Sequence, residues 1–334
     1  MSEVVKQQPS PDPLERTNVG SITDSPGPTP PSRKAGMESS TTSPPPAPFN
    51  LSAFSVVVGI HLAAAWTLWV YDLTVVSLAL ALISYAVRFL AVAIGYHRLI
   101  VHRSYEPTPC FFNVIVFLAV TTCQGSPLDW RRHHLDHHQY ADRPGDPHTG
   151  RFRGFFWAHL LWLFFQPSRK SNIADAPPWL QRPLVRFLES TRFAALAPAA
   201  ILIILLAGIG YVLEANGLDF GPGRCVGYGF AIPSVMAFHA IFAVNSMAHG
   251  YFGVRRFCTD DESRNLWFLA LFNFGEFLHN NHHKFPSSAS NEHGPGEIDL
   301  GYRFLRLFQR LGWIHRIRTR SESRRDGEQN GDNS

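Results

Sequence analysis

Residues 51–71, LSAFSVVVGIHLAAAWTLWVY, contain one histidine and no Lys, Arg, Asp or Glu. A helix rises 1.5 Å per residue, so about 20 such residues cross the roughly 30 Å hydrocarbon layer of a bilayer. This stretch therefore reads as a membrane span, and it fixes the expected class: an all-α membrane protein. Three more spans follow, at about 73–94, 193–213 and 226–248. Arg88 in the second is read as an anchor that snorkels to the headgroup layer. Pro233 and His239 interrupt the fourth, which membrane helices tolerate. Residues 111–120 are apolar but too short to cross and are expected to form an interfacial or buried helix.

The average composition hides these spans. The chain has 334 residues, 45% hydrophobic and only 17% charged, against about 25% charged in a soluble domain, yet its mean hydropathy is −0.05. Eleven of the 25 prolines fall within residues 1–50, among Ser and Thr and almost no aromatics. Such a segment cannot bury enough apolar surface to offset chain entropy and is expected to be disordered. The resulting division is a tail at 1–50, a membrane domain at 51–315 and a polar C-terminal tail at 316–334. No apolar core of a signal peptide precedes the first span. No period recurs. Cys110, Cys123, Cys225 and Cys258 form no CxxC pair, which excludes a disulfide scaffold.

The formal charge of +4 marks orientation. The loops at 71–75 and 214–225 hold Arg224 as their only Lys or Arg, whereas 97–192 and 249–334 hold twelve each. The positive-inside rule places those two segments, and both termini, in the cytosol. There they form a polar cap at 97–192 and 249–315. No nucleic-acid motif competes for the basic residues.

Ten of the 16 histidines lie on that side, as HRLIVH (His97, His102), HHLDHH (His133, His134, His137, His138), HNNHH (His279, His282, His283) and the single His249. His134, His137 and His138 are at i, i+3, i+4 and share one helix face, and the third cluster repeats the spacing. Asn245 stands one turn before His249. His97 and His102 are five apart, about 140° around an α-helix, so His102 is expected just past the helix end. Imidazole suits Zn, Fe, Cu and Ni, and eight or nine rings exceed the three or four that one zinc takes. The count favours a two-metal site. His61, His159, His239, His293 and His315 stand singly and are read as core or interface residues. His133 and His148 are left open.

These clusters resemble the three histidine boxes of the membrane fatty acyl desaturases, most closely the acyl-CoA Δ9 (stearoyl-CoA) branch. GYHRLIVHRSY, AVNSMAH, DPH at 146–148, GFFWAH at 154–159 and GEIDL at 296–300 match as well, so the resemblance covers residues 55–315. It implies a mushroom of four membrane helices beneath a cytosolic helical cap, holding two irons. Carried over by position, the ligands are His97, His102, His134, His137, His138, His249, His279, His282 and His283, with Asn245 reaching a metal through water. Matching positions place Gln124, Trp130 and Phe242 along the acyl tunnel. Asp146, Glu276 and Asp299 are candidates to orient the rings, although a helix cap or a surface ion pair accounts for each equally well.

The implied reaction makes a cis double bond, at Δ9, in a saturated acyl chain with O₂, two ferrous irons and two electrons. The partners are an acyl-CoA or other acyl substrate, membrane lipid and an external donor of ferredoxin or cytochrome b5 type with its reductase. Two departures bear on the acyl carrier: Leu135 replaces the Arg of the usual HRxHH box, and 166–189 lacks the animal HPAVxxKG-like segment. Both point to a bacterial inner membrane rather than the endoplasmic reticulum. Arg169, Lys170, Arg182 and Arg186 are read as solvated basic surface. The competing classes are a related hydroxylase or alkane monooxygenase, and a His-rich metal transporter. A transporter would hold its ligands near the bilayer midplane.

Overall fold

The computed structural model describes residues 48–165, 171–191 and 193–323. The expected N-terminal tail up to residue 47, Arg169, Lys170 and residues 324–334 lie outside them. Helix α1 (Leu51–Val70) starts where Asn50 accepts from Ala53 N–H at 3.1 Å. Thr74 caps α2 (Val75–Ala91) in the same way, and α2 continues without a break as a π-helix, Val92–Val101. Strand β1 (Tyr105–Pro107) leads to α3 (Pro109–Val120) and α4 (Pro127–Tyr140), each opened by a Thr or Ser cap followed by proline at the first turn. Short helices α5 (Gly150–Arg153) and α6 (Phe155–His159), a 3-10 turn at Leu161–Phe165, and α7 (Pro183–Leu188) run between the second and third spans. Then come α8 (Ala197–Ala215), α9 (Pro222–Val226), a second π-helical turn (Gly227–Ala231), α10 (Ile232–Met247), α11 (His279–Lys284) and α12 (Leu300–Arg310). Strand β2 (Ile314–Ile317) pairs antiparallel with β1, Tyr105 opposite Ile317. It straddles the point where the sequence places the start of the C-terminal tail.

Among the described residues, four helices are long and apolar enough to cross a membrane: Leu51–Val70, Val75–Val101, Ala194–Ala215 and Pro222–Met247. The second and fourth have 27 and 26 residues, about 40 Å of helix against a hydrocarbon core of roughly 30 Å. Each therefore projects beyond the apolar layer. That surplus positions the site: the second span carries His97 into the cap, and His249 follows the fourth span by two residues. Gly210 lets the third and fourth spans close on each other, since a Cβ there would fall 2.6 Å from the Pro222 backbone. Helix α3, expected to be interfacial or buried, packs Phe111, Phe112, Ile115, Val116 and Ala119 into the core with the π-helix of the second span.

Three sequence expectations need correcting. Arg88 is no interface anchor: it is 2% exposed. Its guanidinium donates to Ser234 Oγ at 2.7 Å, Phe230 O at 3.2 Å and Thr121 Oγ1 at 3.2 Å. Hydrocarbon offers a guanidinium nothing, whereas the neighbouring helices supply hydroxyls and carbonyls, so it turns inward. His61, His239 and His159 are not independent either. His61 Nε2 lies 3.1 Å from His239 Nε2, and His239 Nδ1 lies 2.9 Å from His159 Nε2. His239 engages a different partner with each ring nitrogen, so the three form a string that ties α1, α10 and α6 together rather than a metal claw. Finally, His102 is not thrown off to one side. In a π-helix the hydrogen bond spans five residues, and His102 N–H donates to His97 O at 3.2 Å. The extra residue per turn brings the two rings to 4.9 Å between centroids.

Candidate metal centre

Four elements deliver the imidazoles: the π-helix, α4, the chain just after α10, and α11. His97, His102, His134 and His282 place one ring nitrogen each within 4.8 Å of one another, and His137, His249, His279 and His283 do the same. His138 lies between the tetrads, its Nε2 3.0 Å from His134 Nε2 and 2.8 Å from His282 Nε2. Its ring also packs on His283 at 4.6 Å. All nine sequence-predicted histidines thus converge. Asn245, half-buried on the last turn of α10, belongs to neither tetrad.

The outer ring nitrogens face carboxylates. His137 Nδ1 approaches Asp146 at 3.2 Å, His249 Nδ1 approaches Asp142 at 2.9 Å, and His283 Nδ1 approaches Asp261 at 2.7 Å. His97 Nδ1 contacts Glu276. A carboxylate accepts only, so each of these rings carries its proton on Nδ1 and turns a bare Nε2 lone pair inward. Those lone pairs meet: His137 and His283 at 3.1 Å, His249 and His279 at 3.0 Å, His279 and His283 at 3.1 Å, His97 and His282 at 3.0 Å. Lone pairs at that range repel unless a cation lies between them. The spacing also suits one. Imidazole ligands about 2.05 Å from a metal stand roughly 2.9 Å apart when they subtend a right angle, and about 3.3 Å apart in a tetrahedron. The donor set therefore fits two cations with right-angled ligand pairs.

Burial, reinforced by neighbouring rings, holds His102, His134, His138, His279 and His282 well below the ordinary imidazole range. Each is a neutral donor at physiological pH. For His249 burial acts the same way, but the Asp142 hydrogen bond and nearby carboxylates outweigh it and raise that ring. Burial would likewise raise Asp142 and Asp261, yet the bonds from His249 and His283 hold both below the usual carboxylate range.

Residues 73–295 match the family described as Fatty acid desaturase. The chain belongs to the fatty acid desaturase family. It is 31% identical over 249 residues to Delta-9 acyl-lipid desaturase 2 of Arabidopsis thaliana, covering 72% of this chain and 74% of that one. It is 30% identical over 261 residues to the sn-1 stearoyl-lipid 9-desaturase of Anabaena variabilis, covering 76% and 89%. Membership in the fatty acid desaturase family makes the chain an oxidoreductase acting on fatty acyl groups.

Of the expected ring-orienting acids in this desaturase-family chain, Asp146 and Glu276 each face a histidine. Asp299 does not: both its oxygens take Arg98 Nη2 at 3.0 Å. Arg98 in turn reaches Glu276 at 3.3 Å, so Asp299 acts on His97 at two removes. Asp142 and Asp261 escape a reading of the sequence because they lie in loops far from the rings they meet. The one local signal is at Asp142, a non-glycine at φ 57°, a conformation that Asp tolerates better than most residues. Trp130 stacks on His134 at 5.1 Å and donates to Gln124 Oε1 at 3.3 Å. Phe242 packs instead with Phe238, Val57 and Ile60.

Losing such an orienting carboxylate typically costs about 10–100-fold in metal affinity or activity. Asp261→Asn, which keeps size and removes charge, is expected to weaken metal retention by about tenfold. Chelator competition on the purified protein measures it, and unchanged retention would show that Asp261 serves only its loop.

Proposed function

We propose that this chain introduces a cis double bond, at Δ9, into the saturated acyl chain of a membrane lipid, using O₂ and two external electrons. The observation that carries this reading is the paired set of inward Nε2 lone pairs, each tetrad backed by buried carboxylates. Two irons are the metals proposed, held by the nine histidines, with Asn245 reaching one through water. Bound there, they would supply the redox chemistry with O₂ that an unactivated C–H bond demands and side-chain acids and bases cannot provide.

The protein's own part is position and exclusion. Asp142, Asp146, Asp261 and Glu276 fix ring tautomers, and burial keeps the rings neutral and water away. Trp130, pinned between His134 and Gln124, is placed to flank the reacting methylenes, and Gln124 and Phe242 complete the proposed tunnel wall. A lipid-linked acyl group is favoured over acyl-CoA because the position of the HRxHH arginine is Leu135, 39% exposed. The two relatives named above also act, by name, on lipids. The charge asymmetry of the loops supports cytosolic termini and a cytosolic site. A bacterial inner membrane and a ferredoxin or cytochrome b5 type donor complete the proposal.

Lipid analysis of a desaturase-deficient host expressing the chain tests it. The expected product is two hydrogens lighter than the saturated acyl group. A product heavier by one oxygen would make the chain a hydroxylase. No new lipid, with metal present, would remove the enzymatic reading.

A further inference from the structure

Two histidines that the sequence leaves open, with one tryptophan, form an unbroken file of rings from the cluster outward. His148 is buried and packs on His137 with centroids 4.3 Å apart. The two share Asp146, whose Oδ2 faces His137 Nδ1 at 3.2 Å and whose Oδ1 faces His148 Nδ1 at 3.6 Å. His137, Asp146 and His148 could themselves ligate a cation. However, His137 gives its Nδ1 proton to Asp146 and its Nε2 to the tetrad, so the trio reads as ring, carboxylate and ring in contact. Trp162 sets its indole across His148 at 5.1 Å and across His133 at 5.8 Å. His133, half-buried on α4, accepts from Arg132 Nη2 at 2.7 Å.

Trp162 is 8% exposed, and among the described residues its indole N–H has no hydrogen-bond partner. Leaving such a donor buried costs about 1–3 kcal/mol, which a leucine filling the same space would avoid. What the indole supplies there is its π-contact with two imidazoles. Another tryptophan touching the cluster, Trp130, leads the other way: its second stacking partner is Tyr96, fully buried. The outer end of the file also has a place. Trp162 belongs to the turn whose Phe164 O accepts Asn50 N–H at 2.7 Å, where the first span meets the cap.

We propose that His133, Trp162 and His148 are the electron-entry route to His137 and the metal pair. The donor is a one-electron carrier protein, of iron–sulfur or haem type, docking beside α4 and the Leu161–Phe165 turn. This rests on the di-iron reading above. Each carrier gives up one electron and is oxidised once, and two deliveries take a ferric pair to the ferrous state. The rings are not consumed. Contiguous π-contacts couple donor and acceptor far better than a gap or a saturated side chain would.

The test uses the full-length, iron-loaded chain in lipid nanodiscs, without oxygen or acyl substrate. Oxidation of a reduced [2Fe–2S] ferredoxin is followed by its visible absorption, with iron content measured alongside. Trp162→Leu is expected to slow ferredoxin oxidation at least tenfold with iron content unchanged, and Trp162→Phe to restore most of the rate. His133→Leu should slow it several-fold. Dithionite, which needs no docking site or ring file, should reduce all variants alike. A wild-type rate in Trp162→Leu overturns the route. So does loss of iron in Trp162→Leu accompanied by a wild-type rate in His133→Leu. If even dithionite delivers no electrons to the wild-type chain, the di-iron reading fails instead.

Discussion

His282→Ala is expected to abolish desaturation and to lower bound iron. His282 is buried at the first tetrad, its Nε2 3.0 Å from that of His97 and 2.8 Å from that of His138. Its ring nitrogen thus joins the tetrad to the histidine that lies between the two. Removing the ring deletes a donor and leaves His97 and His138 facing a void, with their tautomers no longer set by a shared cation. The fall in product should exceed the roughly 100-fold that losing an orienting partner can cause. Acyl-chain analysis of a desaturase-deficient host should show no new double bond, and iron per chain should drop. His315→Ala, on an exposed strand residue, should change neither. A His282→Ala protein that still makes the double bond would mean that the tetrads are not the reacting site.

The spans are legible because a charge-free run of about 20 residues is long enough to cross a bilayer and too apolar to face water along its length. The nine converging histidines are legible because HxxHH on a helix presents one face. Side-chain destinations are less so. Periodicity assumes an α-helix, and ten residues of π-helix at Val92–Val101 move His102 onto the same side as His97. Hydropathy says that Arg88 sits in a span, but not that Thr121 and Ser234, 33 and 146 residues away, draw it inward. Asp142 and Asp261 are hidden for the same reason: the rings they hold are 107 and 22 residues distant. Loop acids carry no periodicity to betray a partner. Asp299 lies in a family-like segment, which points to its neighbourhood but not to Arg98 as its partner.

Asp299→Ala is the variant expected to cost most in stability. Arg98 is 1% exposed and Asp299 0%, and burial pushes the Asp299 carboxyl up against the pull of Arg98 and two backbone N–H groups. Removing one member of a buried ion pair leaves the other desolvated and unmatched, at about 3–5 kcal/mol. Glu276 cannot make good the loss, because it already faces His97. Asp299 also caps α12, accepting Tyr302 N–H at 2.9 Å, and takes Asn291 N–H at 2.8 Å. Losing the cap adds about 1 kcal/mol. The site is packed to that purpose: a Cβ on Gly275, at φ 94°, would overlap the Asp299 carboxylate. Asp299→Asn keeps the cap and the loop contact while removing the charge, so it separates the two contributions. Thermal unfolding in detergent should rank wild type above Asp299→Asn and that above Asp299→Ala. Iron should fall in the same order, because a displaced Arg98 frees Glu276 from its proper bearing on His97. An alanine variant that melts with the wild type would show that Arg98 finds another partner and that this chain of contacts does not support the metal centre.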